Sequence, residues 1–200
     1  MTSSQPSVNN YPNWFTVWAE QNFRELLTDL KGKENLAFLQ IGAFTGDASL
    51  WLMQNILTHP SSILIDVDTW QGSDEEVHHS MDFFDVERVY DSKVDTYENV
   101  IKVKMTSLNY LATADEKEYF DFIYIDGDHT ADAVFKDASL SWRALKPGGI
   151  MAFDDYTWEP QLPMHLRPQP AIDLFLTLMK DNIDLIRTGP QVWIRKRFTT

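Results

Sequence analysis

Residues 121–156 read DFIYIDGDHTADAVFKDASLSWRALKPGGIMAFDDY, and this stretch decides the fold. An apolar run at 122–125 is followed by a helical pattern, a turn at 146–149 and a second apolar run at 150–153. Short continuous apolar runs are typical of strands that are buried on both faces of a parallel sheet. The stretch therefore predicts a strand, a crossover helix and a second strand parallel to the first.

Carboxylates stand at the end of both predicted strands. Asp126 ends the first strand, and Asp154 and Asp155 end the second. Ligands of open α/β sheets bind outside the carboxyl ends of the strands, and neighbouring strands lie about 4.8 Å apart, so these side chains should converge. Close carboxylates repel one another unless protons or a cation intervene, and Mg²⁺ prefers oxygen ligands. We expect a divalent metal site here, unless Asp154 and Asp155 only cap the next segment or fix a loop.

The composition limits the class of protein. The 200 residues are 44% hydrophobic and 24% charged, which is typical of one globular domain, here 1–200 with a loose arm at 1–13. No apolar run approaches the roughly 20 residues that span a bilayer, and no secretory signal is visible, so we expect a cytoplasmic protein without a membrane partner. The absence of cysteine excludes disulfides and thiolate catalysis.

The charge balance bears on partners. Thirty acidic and seventeen basic residues give a formal net charge of −13, which would repel a phosphate backbone. Nucleic acid is therefore not expected as a substrate. A small neutral or cationic acceptor remains open, and so does self-association into a homo-oligomer.

A glycine turn after the first strand and an acidic residue at the end of the second strand predict a nucleoside-binding site. Gly42 and Gly46 lie between a predicted strand and a predicted helix, where glycine lets the backbone approach a ligand. Asp68 ends the next strand, at the offset expected of an acid that accepts both ribose hydroxyls of a nucleoside. Asp66, two residues earlier, is the competing candidate.

The remaining pattern continues the alternation of strands and helices. The segment at 71–98 is predicted as a lid over the substrate, with its paired histidines exposed, and the proline-rich segment at 157–170 as an irregular loop. The other elements are predicted as helices at 14–31, 82–94, 108–117 and 171–178, and as strands at 36–41, 63–67, 100–103, 183–187 and 192–197.

The chain resembles the class I S-adenosylmethionine-dependent methyltransferases, in particular small stand-alone enzymes of glycan and natural-product pathways. The matching motifs are LAFLQIGAFTGDASLWL, LIDVDTWQGS, FDFIYIDGDHTADAVFKDA, LKPGGIMAFDDY, PAIDLFL and QVWIRKRF. The resemblance implies an α/β fold, with a Rossmann-like, doubly wound, seven-stranded sheet. That sheet would be mostly parallel with an antiparallel last strand and would carry helices on both faces.

The resemblance also implies a cofactor site for S-adenosylmethionine. The family usually has an acid two positions before the first glycine, where this chain has Gln40, which can accept a hydrogen bond from the cofactor's ammonium but offers no charge. The implied cofactor-binding residues are Gln40, Gly42, Ala43, Phe44, Gly46, Asp68, Thr106, Ser107 and Asp126.

The expected reaction is O-methylation of a hydroxyl on a small molecule or sugar, assisted by Mg²⁺ on Asp126, Asp154 and Asp155. Catechol and macrolide-sugar O-methyltransferases place metal-binding acids at these strand ends, which strengthens the metal interpretation. His129, three residues after Asp126, is the expected catalytic base, with a structural hydrogen bond or a contact to the metal shell as the alternative.

Three other functions compete with this one. A methyltransferase that needs no metal and an inactive methyltransferase-fold binding protein both stay open, the second because of Gln40. A nicotinamide dehydrogenase is disfavoured because GAFTGDAS lacks the G-x-G-x-x-G arrangement.

Overall fold

The computed structural model describes residues 11–198, so most of the expected arm at 1–13 lies outside the described residues. The strands are β1 (Ala37–Ile41), β2 (Ile63–Asp68), β3 (Val100–Lys104), β4 (Phe120–Ile125), β5 (Leu145–Phe153), β6 (Ile183–Arg187) and β7 (Val192–Lys196). The helices are α1 (Glu20–Leu26), α2 (Asp47–Asn55), α3 (Phe83–Val94), α4 (Ser107–Thr113), α5 (Ala131–Ser141) and α6 (Gln169–Met179). Within this part of the chain, no helix is long and apolar enough to cross a membrane.

The strands of the described residues form one seven-stranded sheet in the order β3-β2-β1-β4-β5-β7-β6. The first five strands pair in parallel, and β7 runs antiparallel to both β5 and β6. This confirms the predicted fold class, including the antiparallel end of the sheet.

Helices cover both faces of the sheet because alternate residues of each strand point to opposite faces. On β4, Ile123 and Ile125 pack with α4, α5 and α6, whereas Phe122 and Tyr124 pack with α1 and α2. A smaller cluster around Tyr90 holds α3 against the loops that follow β1 and β2. Burial on both faces explains why the central strands are continuous apolar runs.

The strand order reverses direction between β1 and β4, and ligands of such sheets bind at this switch point. The chain leaves β1 at Gly42 and leaves β4 at Asp126. A hydrogen bond of 2.9 Å from the backbone N–H of Asp126 to the carbonyl of Ile41 ties the two exits together. The glycine turn and the first predicted acid are therefore neighbours.

Several predicted boundaries were wrong. The predicted turn at 146–149 lies inside β5, because Leu145 already pairs with Phe120 and the ladder resumes at Ile150 after an irregularity. The helix predicted at 108–117 is α4, which ends at Thr113. The predicted helix at 14–31 is a π-helical turn (Phe15–Ala19), α1 and a 3₁₀ turn (Thr28–Leu30).

The segment predicted as an irregular loop at 157–170 contains a 3₁₀ turn (Met164–Leu166) and the start of α6. Proline is tolerated in the first turn of a helix, where its missing N–H would have no helical partner. Pro170 therefore lies inside α6 instead of preceding it.

Candidate functional site

A cavity of about 940 Å³ lies at the carboxyl ends of the parallel strands, and it is lined by the ends of β1 and β2 and by the residues that directly follow each of the first five strands. Its volume is in the range of small-molecule and cofactor sites. The predicted site residues that line it are Gln40, Gly42, Ala43, Phe44, Asp68, Thr106, Ser107, Asp126, His129, Asp154 and Asp155. The structure therefore brings the glycine turn, the ribose candidate and the acidic residues to one rim.

The two glycines of the turn adopt backbone conformations and close contacts that leave no room for a Cβ atom. Gly42 has φ +86°, and a Cβ there would stand 1.8 Å from the carbonyl oxygen of Asp126. Gly46 has φ +78° at the start of α2, where a Cβ would meet the ring of Tyr90 at 2.9 Å. Gly46 lies outside the cavity lining and shapes the turn.

Asp68 holds the same turn from the side of β2. Its Oδ2 accepts hydrogen bonds from the backbone N–H groups of Ala43 at 2.8 Å and Phe44 at 2.9 Å. Its Oδ1 accepts another from the N–H of Trp70 at 2.7 Å. A carboxylate offers about four acceptor positions, so a ligand hydroxyl can still bind.

Asp66, the competing ribose candidate, is fully buried beneath the turn. The hydroxyl of Tyr90 donates to its Oδ2 at 2.8 Å, and Asp66 is outside the cavity lining. Burial raises the pKa of Asp66 to about 7, although the nearby hydroxyl of Ser49 and the hydrogen bond from Tyr90 oppose the rise. The geometry favours Asp68 over Asp66 as the ribose contact.

Gln40, which lines the cavity, has a buried side-chain acceptor without a partner among the described residues. The side chain is only 2% exposed, and its Nε2 donates to the carbonyl of Gly42 at 2.9 Å. Because a carbonyl can only accept, this bond fixes the orientation of the amide. The buried Oε1 then has no hydrogen-bond partner among residues 11–198. A ligand N–H group at this point would satisfy it, and the ammonium of S-adenosylmethionine fits that requirement.

Three of the side chains beyond β4 and β5 form a compact cluster. Each of these residues offers one atom that could bind a metal ion, and the three atoms lie within 4.8 Å of one another. The residues are Asp126, His129 and Asp155. His129 Nε2 is 3.0 Å from Asp155 Oδ2 and 3.9 Å from Asp126 Oδ1. Asp155 adopts φ +55°, a left-handed conformation that costs energy outside glycine and is concentrated at functional sites.

Asp154, the third predicted metal ligand, is engaged elsewhere. The hydroxyl of Tyr124 donates to its Oδ2, and so does Nε2 of Gln191 at 3.1 Å. Burial and the charge of Asp155 raise the pKa of Asp154 to about 6. Asp154 still lines the cavity, but the three-residue cluster contains His129 in its place.

The electrostatics of the cluster shift the pKa values of its members. Burial and the charge of Asp154 raise the pKa of Asp126 well above its usual value. Burial would lower the pKa of His129, but hydrogen bonds to Asp126 and Asp155 outweigh it and raise that pKa well above its usual value. A proton retained on Asp126, an imidazolium at His129 or a divalent cation can each relieve the repulsion between the two carboxylates.

The outer wall of the cavity is aromatic. His78 from the loop at 71–82 stacks on Phe44 at 6.2 Å and meets Phe83 edge-on at 5.2 Å. Trp14 lies 4.9 Å from Phe44 by ring centroids. The prediction that both histidines are exposed is therefore wrong for His78, which is partly buried in the lining, and right for His79.

Comparison with known proteins relates this site to a family. A family model described as "Methyltransferase domain" matches residues 39–156, more than half of the chain. An uncharacterized protein of Acanthamoeba polyphaga mimivirus is 28% identical over 143 residues, which cover 69% of this chain and 61% of that protein. The chain thus matches less than two thirds of that relative's length.

Solved structures share the architecture. An SAH-bound methyltransferase of Podospora anserina is 18% identical, with a TM-score of 0.58 over 81% of this chain and 72% of that chain. An O-methyltransferase from Bacillus cereus in complex with SAH is 17% identical, with a TM-score of 0.59 over 96% of this chain and 84% of that chain. At these identities the likeness shows the fold.

Proposed function

This chain belongs to the methyltransferase-domain family, and from that premise we propose that it is an S-adenosylmethionine-dependent O-methyltransferase. Its acceptor is a hydroxyl on a small molecule or sugar, held with the help of a divalent cation. The observation that carries the proposal is a single cavity whose lining includes both Gln40, with its acceptor Oε1 unpartnered within residues 11–198, and the cluster of Asp126, His129 and Asp155.

The cofactor assignment is supported by the hydrogen-bond acceptors that line the cavity. S-adenosylmethionine supplies an electrophilic methyl group on a sulfonium. Gln40 Oε1 would accept from its ammonium, Asp68 from its ribose, and Thr106 and Ser107 would lie at its adenine. The SAH found in the Podospora anserina and Bacillus cereus proteins, the demethylated form of this donor, agrees with that assignment.

The cation assignment is supported by the donor set. Two carboxylates suit Mg²⁺ and Mn²⁺, whereas an imidazole also suits Zn²⁺ and other transition metals. Asp126, His129 and Asp155 would hold the ion, and a bound divalent ion lowers the pKa of a hydroxyl beside it. Mg²⁺ is the first candidate and Mn²⁺ the second.

The chain's own residues act mainly by positioning. The acceptor oxygen forms a bond to the methyl carbon as the carbon–sulfur bond breaks, and the hydroxyl proton must leave. His129 lines the cavity beside Asp126. The carboxylates favour its protonated ring in the absence of a cation. A bound cation would offset their charge, so that the neutral ring either takes that proton or helps to hold the cation. The two roles differ in a measurable way, because loss of a ligand weakens cation binding and loss of a base lowers turnover alone.

The charge of the cavity restricts the acceptor. Besides the cluster, the lining includes the carboxylates of Asp47, Asp128 and Asp132, against the lysine Lys136. A phosphate-rich acceptor would be repelled by this lining. We therefore propose neutral or cationic hydroxylated acceptors and not nucleic acid.

Formation of S-adenosylhomocysteine tests the proposal. The protein is incubated with S-adenosylmethionine and a panel of sugars, catechols and other hydroxylated acceptors, with Mg²⁺, with Mn²⁺ or with chelator. We expect acceptor-dependent product that chelator removes. Product that persists in chelator would identify a metal-independent methyltransferase, and calorimetric binding of the cofactor without turnover on any acceptor would favour the binding protein.

A further inference from the structure

The loop at 71–82, between β2 and α3, places one carboxylate against the acidic cluster. Glu75 lies in this loop, yet its side chain is only 14% exposed and lines the cavity. Its Oε1 is 3.3 Å from Nδ1 of His129, whose other ring nitrogen faces Asp126 and Asp155. Nothing in the sequence patterns predicted this contact.

The ring nitrogen Nδ1 of His129 has no other partner within the described residues and can donate to this carboxylate. Nδ1 is buried and makes no well-aligned hydrogen bond within the described residues. A carboxylate can only accept, so a hydrogen on Nδ1 directed at Glu75 leaves Nε2 to face the cluster. Trp158 packs against the ring from another side, at 4.9 Å between ring centroids, which further limits its rotation.

Glu75 is in turn fixed to its own loop. The hydroxyl of Ser73 donates to Glu75 Oε1, and the backbone N–H of Ser73 donates to Nδ1 of His78 at 3.2 Å. The ring of His78 packs in the aromatic wall on Phe44. A continuous series of contacts therefore begins at Phe44 in the aromatic wall of the cavity and ends at His129. It passes through His78, Ser73 and Glu75.

We propose that Glu75 is a positioning residue that orients His129 and holds the loop at 71–82 against the cavity. The contact between Glu75 and His129 is called the latch below. The latch stands on its own geometry, and its effect on the cation rests on the proposed function. Metal-ligating histidines usually donate their second ring N–H to a carboxylate, and loss of that partner weakens metal binding. Because linkage is reciprocal, cation binding also stabilises the closed loop.

The latch is tested by Glu75→Ala, with Glu76→Ala, at an exposed neighbouring glutamate, as the matched control. Hydrogen exchange of the amides at 71–82 is measured without any ligand. We expect Glu75→Ala to lose protection there while Glu76→Ala keeps it, with unchanged protection in the central strands. Glu75→Gln, whose amide oxygen can still accept from Nδ1, should restore protection. Equal exchange in all variants would overturn the latch and leave the proposed function intact.

The coupling is tested by calorimetry with Mn²⁺ on the same proteins. Glu75→Ala should weaken Mn²⁺ binding by about 10- to 100-fold, as loss of such a partner does, whereas Glu76→Ala should not change it. Mn²⁺ should also increase protection at 71–82 in the unmodified protein. Unchanged Mn²⁺ affinity in Glu75→Ala would overturn the coupling, and failure of the unmodified protein to bind the ion would overturn it together with the cation site.

Discussion

The carbonyl oxygen of Asp126 occupies the space that a Cβ atom on Gly42 would need, with a separation of only 1.8 Å. The end of β1 thus lies directly against the end of β4, and the glycine turn and the acidic cluster share one backbone contact. A change at residue 42 should therefore disturb both parts of the site.

Gly42→Ala should lower the free energy of unfolding by about 1–3 kcal/mol or more, since it combines φ +86° with overlap against backbone. Urea unfolding measures the change. Gly189→Ala is the matched control, because a Cβ there meets nothing within 4 Å. Equal stability of the two variants would show that the close approach of β1 and β4 is wrong.

Asp68→Ala should weaken binding of S-adenosylhomocysteine by about 1–3 kcal/mol, because the ribose loses its acceptor and the N–H groups of Ala43 and Phe44 lose theirs. Calorimetry measures the affinity. An unaltered affinity would show that Asp68 is not the ribose contact.

Gln40→Met should weaken S-adenosylhomocysteine binding by about 1.5–3 kcal/mol, the range for hydrogen bonds to charged groups. Methionine keeps the length of the side chain but removes the buried Oε1 acceptor. Gln21→Met, at an exposed position of α1, is the control and should bind normally. If both variants bind like the unmodified protein, the cofactor's ammonium lies elsewhere.

Asp66→Asn should change the pH dependence of stability. The native pKa of about 7 lies above the unfolded value, so the native state keeps a proton that the unfolded state releases. Stability therefore falls as pH rises from about 4 to 7 and levels off above, a loss on the order of 4 kcal/mol from this group. Asparagine cannot ionise, so the variant should lack this part of the slope in urea unfolding at pH 4 to 8. An identical slope in both proteins would show that Asp66 ionises normally.

Asp126→Ala should abolish cation-dependent turnover, since it removes one of the two carboxylates of the cluster. The rate of S-adenosylhomocysteine formation with Mg²⁺ and with chelator measures the effect. Asp29→Ala, at an exposed aspartate in the 3₁₀ turn after α1, should leave the rate unchanged. Unchanged turnover in Asp126→Ala would remove the metal site from the mechanism.

The sheet could be predicted because its central strands are buried on both faces, so that 122–125 and 150–153 are apolar without interruption. Convergence of Asp126 with Asp155 followed from the adjacency of β4 and β5. The irregular start of β5 could not be predicted, since Pro147 and the two glycines after it are typical of a turn, and only the pairing of Leu145 with Phe120 extends the strand.

The contact between the loop at 71–82 and His129 could not be predicted from the sequence, for a different reason. Glu75 reaches His129 because Ser73 and His78 hold its loop and because His78 packs on Phe44. Such contacts between distant segments have no periodicity and no fixed spacing. The preference for His129 over Asp154 in the cluster likewise depends on Tyr124 and Gln191.

In the proposed function, the methyl donor and the cation bind side by side on one rim. The most direct measurement is the NMR signal of S-adenosylmethionine carrying a ¹³C-labelled methyl group, bound to the protein and titrated with paramagnetic Mn²⁺. We predict strong broadening of the methyl signal, which Asp126→Ala removes at protein concentrations that keep the labelled cofactor bound to the variant. A methyl signal that stays sharp with Mn²⁺ bound to the protein would contradict the account.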